Sequence, residues 1–158
     1  MMTKARKKIA SFLVATALLC PMCVASVSAA NTTDTAWSMT SSTTDFKYLG
    51  ASRLKTDATA VYFKMNTSVT SNKVDVKVLG TNSNPVTSWS QLTNCTVKNG
   101  AAKNYAKCNK NVNYSLHSTV NERGFSRVTL AITTAKDEKI SGVWSADSSG
   151  TYNEATYY

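Results

Sequence analysis

Between residues 58 and 80, apolar and polar positions alternate in two runs. Val61, Phe63 and Met65 are separated by Tyr62 and Lys64, and Val74, Val76 and Val78 by Asp75 and Lys77, with the polar stretch 67–72 between the runs. A period of two puts successive side chains on opposite faces of an extended chain, so each run reads as a strand with one buried side. The two runs and their polar loop are expected to pair as an antiparallel hairpin. A lone hairpin is not stable in water, so the remaining chain must supply a second layer.

The same alternation recurs elsewhere. Phe46 and Tyr48 open an earlier strand; Val112, Tyr114 and Leu116 form a later one, followed by Val128, Leu130 and Ile132, and then by Ile140 and Trp144. Residues 86–92, around Trp89, read as a short strand, and 81–85 as a loop rich in Asn and Ser that ends in Pro85. Asn99-Gly100 is the strongest turn signal, suited to a type I′ hairpin in which both central residues take positive φ. Whether a hairpin or a short helix over 101–107 follows it is open at this level. No stretch has sustained helical periodicity. About seven to eight short strands with Thr and Ser on their outer faces predict an all-β fold, an antiparallel β-sandwich or jelly roll.

The first residues follow a different rule. Lys4, Arg6, Lys7 and Lys8 precede an apolar run over 9–19, and both Val27-Ser28-Ala29 and Ser28-Ala29-Ala30 place small residues where a signal peptidase requires them. The expected organisation is a cleaved signal over 1–29, a Thr- and Ser-rich lead-in over 30–44, and one β domain over 45–158, the product being secreted or held at the cell surface. Of four cysteines, Cys95 and Cys108 remain after processing. In an oxidising compartment the pair is expected to form a disulfide whose loop closure is worth ~3 kcal/mol.

Charge then changes the picture. The chain carries a net +9, and loss of the signal leaves fourteen basic against nine acidic residues, a net +5. The excess lies in one carboxylate-free segment holding Lys77, Lys98, Lys103, Lys107 and Lys110. Such one-sided charge favours an anionic partner: a cell-wall polymer, a glycan or a membrane surface. Export argues against nucleic acid. The rival reading of the lysines is a solvated rim.

Candidate chemistry is sparse. His117 is the only histidine and falls on the polar side of its strand, without a nucleophile or acid at any recognised spacing. Residues 147–154 set oxygen ligands around Gly150 as a calcium loop would, but lack the further ligands of an EF-hand, so a turn is expected. Of Trp37, Trp89 and Trp144, two are expected in the core and one could form a sugar-stacking platform. No enzyme, metal or cofactor is expected.

Asn113-Tyr114, Arg123-Gly-Phe-Ser-Arg-Val-Thr-Leu-Ala-Ile132 and Ser141-Gly-Val-Trp-Ser-Ala-Asp-Ser148 resemble small secreted β-proteins of Gram-positive bacteria with a C-terminal Gly-x-Trp-Ser-x-Asp-Ser-like segment. Some similar chains are lactococcin-type bacteriocins. The resemblance implies no catalytic residue. Two functions follow: a non-enzymatic protein binding an anionic or glycan component of a cell envelope, or a bacteriocin-like toxin acting on related bacteria.

Overall fold

A computed structural model describes residues 31–40, 43–68, 70, 72–133 and 135–158, so the expected signal segment lies outside the described residues. The fold is all-β, with mostly antiparallel pairing. In chain order the strands are β1 (Thr35–Thr40), β2 (Lys47–Tyr48), β3 (Arg53–Leu54), β4 (Val61–Thr67) and β5 (Lys73–Thr81). They continue with β6 (Thr93–Asn94), β7 (Val97–Lys98), β8 (Ala101–Ala102), β9 (Ala106–Asn109) and β10 (Asn113–Leu116). The last four are β11 (Arg127–Thr133), β12 (Lys139–Ser145), β13 (Asn153–Glu154) and β14 (Thr156–Tyr157).

One sheet has the order β1-β12-β4-β10-β13. The second has the order β14-β9-β5-β11-β2, with β3 also on β11 and β6 also on β5. Both contribute to a single core. Trp37, Phe63, Met65, Leu116, Ile140 and Trp144 come from the first sheet; Val74, Val76, Val78, Val128, Leu130 and Ile132 come from the second. Apart from Trp37, which lies in the lead-in, these inward positions are those of the alternating pattern, because burial of one face fixes the register of every strand.

The two runs at residues 58–80 are strands, as expected, but they do not form a hairpin. β4 is central in the first sheet, between β12 and β10, and β5 is central in the second, flanked by β11 on one side and by β9 and β6 on the other. The intervening segment therefore crosses from one sheet to the other. Both runs alternate in the same way, and alternation specifies which face is buried without specifying the partner strand. Residues 86–92 also differ from expectation. They hold a 3-10 turn at Trp89–Gln91, closed by the Gln91 side chain, which accepts hydrogen bonds from the backbone N–H groups of Thr87 and Ser88 at 2.8 and 3.1 Å. The lead-in provides β1, an edge strand paired along β12. Asn99 (φ 51°) and Gly100 (φ 77°) make the two-residue hairpin between β7 and β8, which decides against a helix there.

The expected disulfide does not form. Cys95 and Cys108 are free thiols, both buried. Cys108 lies opposite Val74, and the Cys95 N–H donates to Val78 O at 2.8 Å. β11 occupies the other side of β5, so both cysteines flank the same edge of that strand, four residues apart. At ~3.3 Å per residue the separation is about 13 Å, well beyond the 4.4–6.8 Å that a disulfide spans. Burial raises the pKa of both thiols, which keeps them protonated.

Gly142 allows the tightest approach in the first sheet. A Cβ there would stand 2.0 Å from Lys64 O, where the register of β12 on β4 shifts. Gly142→Ala is therefore expected to cost at least about 2 kcal/mol in urea unfolding, because the obstacle is backbone and cannot turn aside. Thiol reagents are expected to label neither Cys95 nor Cys108 in the native protein and both of them after unfolding, as located by peptide mass.

Candidate functional site

Facing away from the core, the second sheet carries an aromatic and basic strip. On β5 the outward positions are Lys73, Asp75 and Lys77; on β9 Lys107 lies opposite Asp75, and on β2 Tyr48 lies opposite Ala131 of β11. Phe46 and Tyr48 share one face by alternation, and that face is the outer one: Lys77 Nζ sits 4.2 Å from the centre of the Phe46 ring. Rings then follow one another across the strands. Trp89 meets Tyr48 edge-on at 5.1 Å, Phe46 meets Tyr105 at 6.1 Å, and Tyr105 stacks on Tyr158 at 5.2 Å. Lys107 Nζ lies 5.0 Å from the Tyr158 ring centre. Trp89 (47% exposed) and Tyr158 (52%) stand at the two ends of the strip.

Trp37 and Trp144, by contrast, are in the core, where Trp37 stacks on Phe63 at 5.6 Å. Phe46, Tyr48, Tyr105 and Tyr158 were not singled out by sequence reasoning. The available signal was the i, i+2 spacing of Phe46 with Tyr48, which assigns a shared face but does not say that the face is exposed.

The five lysines of the carboxylate-free segment have separate surroundings. Lys77 and Lys107 belong to the strip, and Lys107 Nζ is 3.9 Å from Asp75 Oδ1. Burial raises the pKa of Asp75, while Lys107 acts to lower it. Lys98 Nζ lies 3.1 Å from Glu154 Oε2 and 5.7 Å from the Tyr157 ring centre. Lys110 donates to Ser68 O at 3.1 Å. Lys103 is tied through its backbone, the N–H donating to Thr96 O and the carbonyl accepting from Asn94 Nδ2. The gap in carboxylates along the sequence is thus partly filled in space by Asp75 and Glu154.

A second feature is an open cleft of about 540 Å³ beside β10, lined among others by Ala58, Ser115, His117, Gly150, Tyr152 and Glu154. His117 Nε2 stands 3.8 Å from Glu154 Oε1, with both side chains half-exposed. That separation exceeds a hydrogen bond. Among the described residues no three His, Cys, Asp or Glu side chains gather as a metal site.

A buried ion pair adjoins two residues that line the cleft, Thr59 and Ser148. Lys55 Nζ (side chain 2% exposed) is 2.5 Å from Asp147 Oδ1 (0%). Lys55 also donates to Thr59 O at 2.6 Å and lies 3.5 Å from Asp57 Oδ1. Asp147 Oδ2 accepts from the Thr56 hydroxyl at 2.6 Å, the Thr56 N–H at 3.2 Å and the Asn31 N–H at 2.7 Å. Both carboxylate oxygens of Asp147 are therefore occupied by protein donors, with a lysine ammonium where a calcium loop would hold its ion. Burial acts to raise the Asp147 pKa, but hydrogen bonds from Lys55, Thr56 and the Asn31 backbone, with the charge of Lys55, outweigh it and hold the carboxyl at about 2.

A family model described as Protein of unknown function (DUF2712) matches residues 25–148. No curated protein and no solved structure matches the chain.

Because the folded pKa of Asp147 lies below its ordinary 3.8, the stability it contributes is complete above about pH 4 and is lost as pH falls through about 2. Acid unfolding of the native chain should track this window, and Asp147→Asn should flatten it, as followed by circular dichroism. Lys55→Met is expected to cost ~3–5 kcal/mol by leaving a buried carboxylate unpaired, and the double change Lys55→Met with Asp147→Leu should recover part of that loss.

Proposed function

We propose, from the premise that the chain belongs to the DUF2712 family of proteins of unknown function, that it is an exported binding protein for an anionic glycan polymer of a cell envelope. The observation that carries this reading is the strip Trp89, Tyr48, Phe46, Tyr105 and Tyr158 with Lys77 and Lys107 set over its rings. Aromatic faces are negative at the centre and attract the polarised C–H faces of sugar rings. An ammonium over the face of a ring is held close to it, with an attraction of ~0.5–1 kcal/mol at exposed sites. Lys77 and Lys107 are thereby kept beside the rings they cover, so the ring surface left open, above all at Trp89 and Tyr48, can meet the sugars of a polymer while the lysines meet its phosphate or carboxylate groups.

An open, extended face suits a repeating chain more than a small substrate. The two sheets sharing one core support a β-sandwich as the scaffold, since that arrangement leaves one broad outer face per sheet. Binding, not catalysis, is the role we assign. The one imidazole has no oriented partner, and the buried Lys55–Asp147 pair is saturated by its own neighbours.

Pull-down of the mature protein with purified Gram-positive cell walls tests the reading. Binding is expected at low salt, with a decline as ionic strength rises. Stripping phosphate-rich polymers from the walls should abolish it. Trp89→Ala with Tyr105→Ala should weaken it about tenfold, and Lys77→Glu with Lys107→Glu should remove most of its salt dependence. Binding that survives all of these changes would rule the strip out.

A further inference from the structure

Asn31 is held by every polar group it owns. Its N–H donates to Asp147 Oδ2 at 2.7 Å, and its carbonyl accepts from the Asp147 N–H at 3.2 Å. Its side-chain Nδ2 donates to Leu54 O at 2.9 Å, and its Oδ1 accepts from Arg53 Nη2 at 2.5 Å. The contact with Asp147 joins positions 116 residues apart. This is far more anchoring than a polar lead-in residue before an edge strand requires.

Asp147 faces the socket from the segment after β12, Lys55 and Asp57 from the segment after β3, Arg53 from β3 itself, and Asp34 from the segment before β1, within electrostatic reach of Arg53. Tyr62 also feels Asp34, but its pKa is raised by burial and by that carboxylate, so the phenol is neutral. Asp34 is exposed and the Asp57 side chain is 32% exposed, so water screens both. Asp147 is the fully buried carboxylate, and while its Oδ1 meets the Lys55 ammonium, its Oδ2 meets only neutral donors, the Thr56 hydroxyl and N–H and the Asn31 N–H.

One of the two small-residue patterns in the leader, Ser28-Ala29-Ala30, ends at the bond before Asn31. We propose that the precursor is cut between Ala30 and Asn31, and that the α-ammonium released on Asn31 caps the buried Asp147 carboxylate at Oδ2, the oxygen that otherwise has only neutral donors. The step is hydrolysis by a signal-peptidase-class enzyme. One water is consumed, the C–N bond breaks, Ala30 keeps the new carboxylate, and Asn31 keeps the amine, which takes up a proton from solvent. The amide N–H already points at Oδ2, so a charged donor replaces a neutral one without rearrangement, and a charge-assisted hydrogen bond is roughly twice as strong as a neutral one. The other pattern, Val27-Ser28-Ala29, would leave Ala30 in front. The amine would then lie about 3.8 Å further along the chain, and the donor to Asp147 would remain an amide. The inference rests on the exported reading above and adds the position and purpose of the cut.

Intact mass of the protein recovered from the medium of a host expressing the full chain gives the first test. A product starting at Asn31 is expected. A product starting at Ala30 or elsewhere overturns the inference and leaves export standing, whereas an uncut chain retained in the cells removes the export reading as well. The second test compares recombinant chains that begin at Asn31 and at Ala30. The Asn31 form should have an unfolding constant at least about tenfold smaller near neutral pH.

A free α-amine ordinarily titrates at about 7.7–8.0, and pairing with Asp147 raises that value in the folded state. The advantage is thus complete between about pH 4, above which Asp147 is fully ionised, and about pH 7.5, and disappears as pH rises through the folded value of the amine. It should also vanish when both chains carry Asp147→Asn. Should that variant not fold, acylation with an activated ester at neutral pH gives an independent readout. The Asn31 amine is expected to be protected in the native protein and reactive in urea, with the Ala30 amine reactive in both. Equal stability, or equal reactivity, of the two chains would overturn the proposal.

Discussion

The Lys55–Asp147 pair is the interaction on which the arrangement of the chain depends. Taking two ions out of water costs several kcal/mol each, and their attraction offsets this only when the remaining donors and acceptors are satisfied. Here they are: Lys55 meets Asp147, Asp57 and the Thr59 carbonyl, while Asp147 also receives Thr56 and Asn31. A set of partners this complete has one geometry. It joins the segment leaving β3, which belongs to the second sheet, to the segment leaving β12, which belongs to the first. The pair therefore fixes how the two sheets meet at this end of the fold. Apolar packing, which is tolerant of small slips, would do so less sharply.

The rest of the architecture divides its labour by the period of the strand. On β5, Val74, Val76 and Val78 enter the core, while Lys73, Asp75 and Lys77 between them face outward. On β9, Ala106 and Cys108 are buried while Lys107, with Tyr105 just before the strand, lies on the strip. The core and the outer aromatic and basic strip are thus written into alternate residues of the same strands. A substitution on the outer face can change that strip without disturbing the core, provided the backbone pairing is kept.

Much of the strand content was legible in the sequence, because one-sided burial imprints alternation directly. Val61 to Met65, Val74 to Val78, Val128 to Ile132 and the stretch through Ile140 and Trp144 all lie in strands with the predicted side buried. Pairing was not legible, since β4 and β5 carry the same pattern yet serve different sheets. The cysteines were read by compartment, and strand positions along β5 overruled that reading. Lys55 lies in the short polar stretch 53–57 and its partner is 92 residues away, beyond any local signal. Of the candidate site, Trp89 and Lys77 could be named from composition and charge. Tyr105 and Tyr158 could not, because only the register of β9 and β14 brings their rings together.

Among consecutive strands, only β5 with β6 and β7 with β8 pair within the described residues; every other ladder joins elements that are not neighbours in the chain. β1 waits for β12, and β2 and β3 wait for β11. Such non-local topology makes folding slow, because long loops must close before any contact rewards them. A nascent chain of this kind cannot assemble its first sheet until residues near 139–145 have been synthesised.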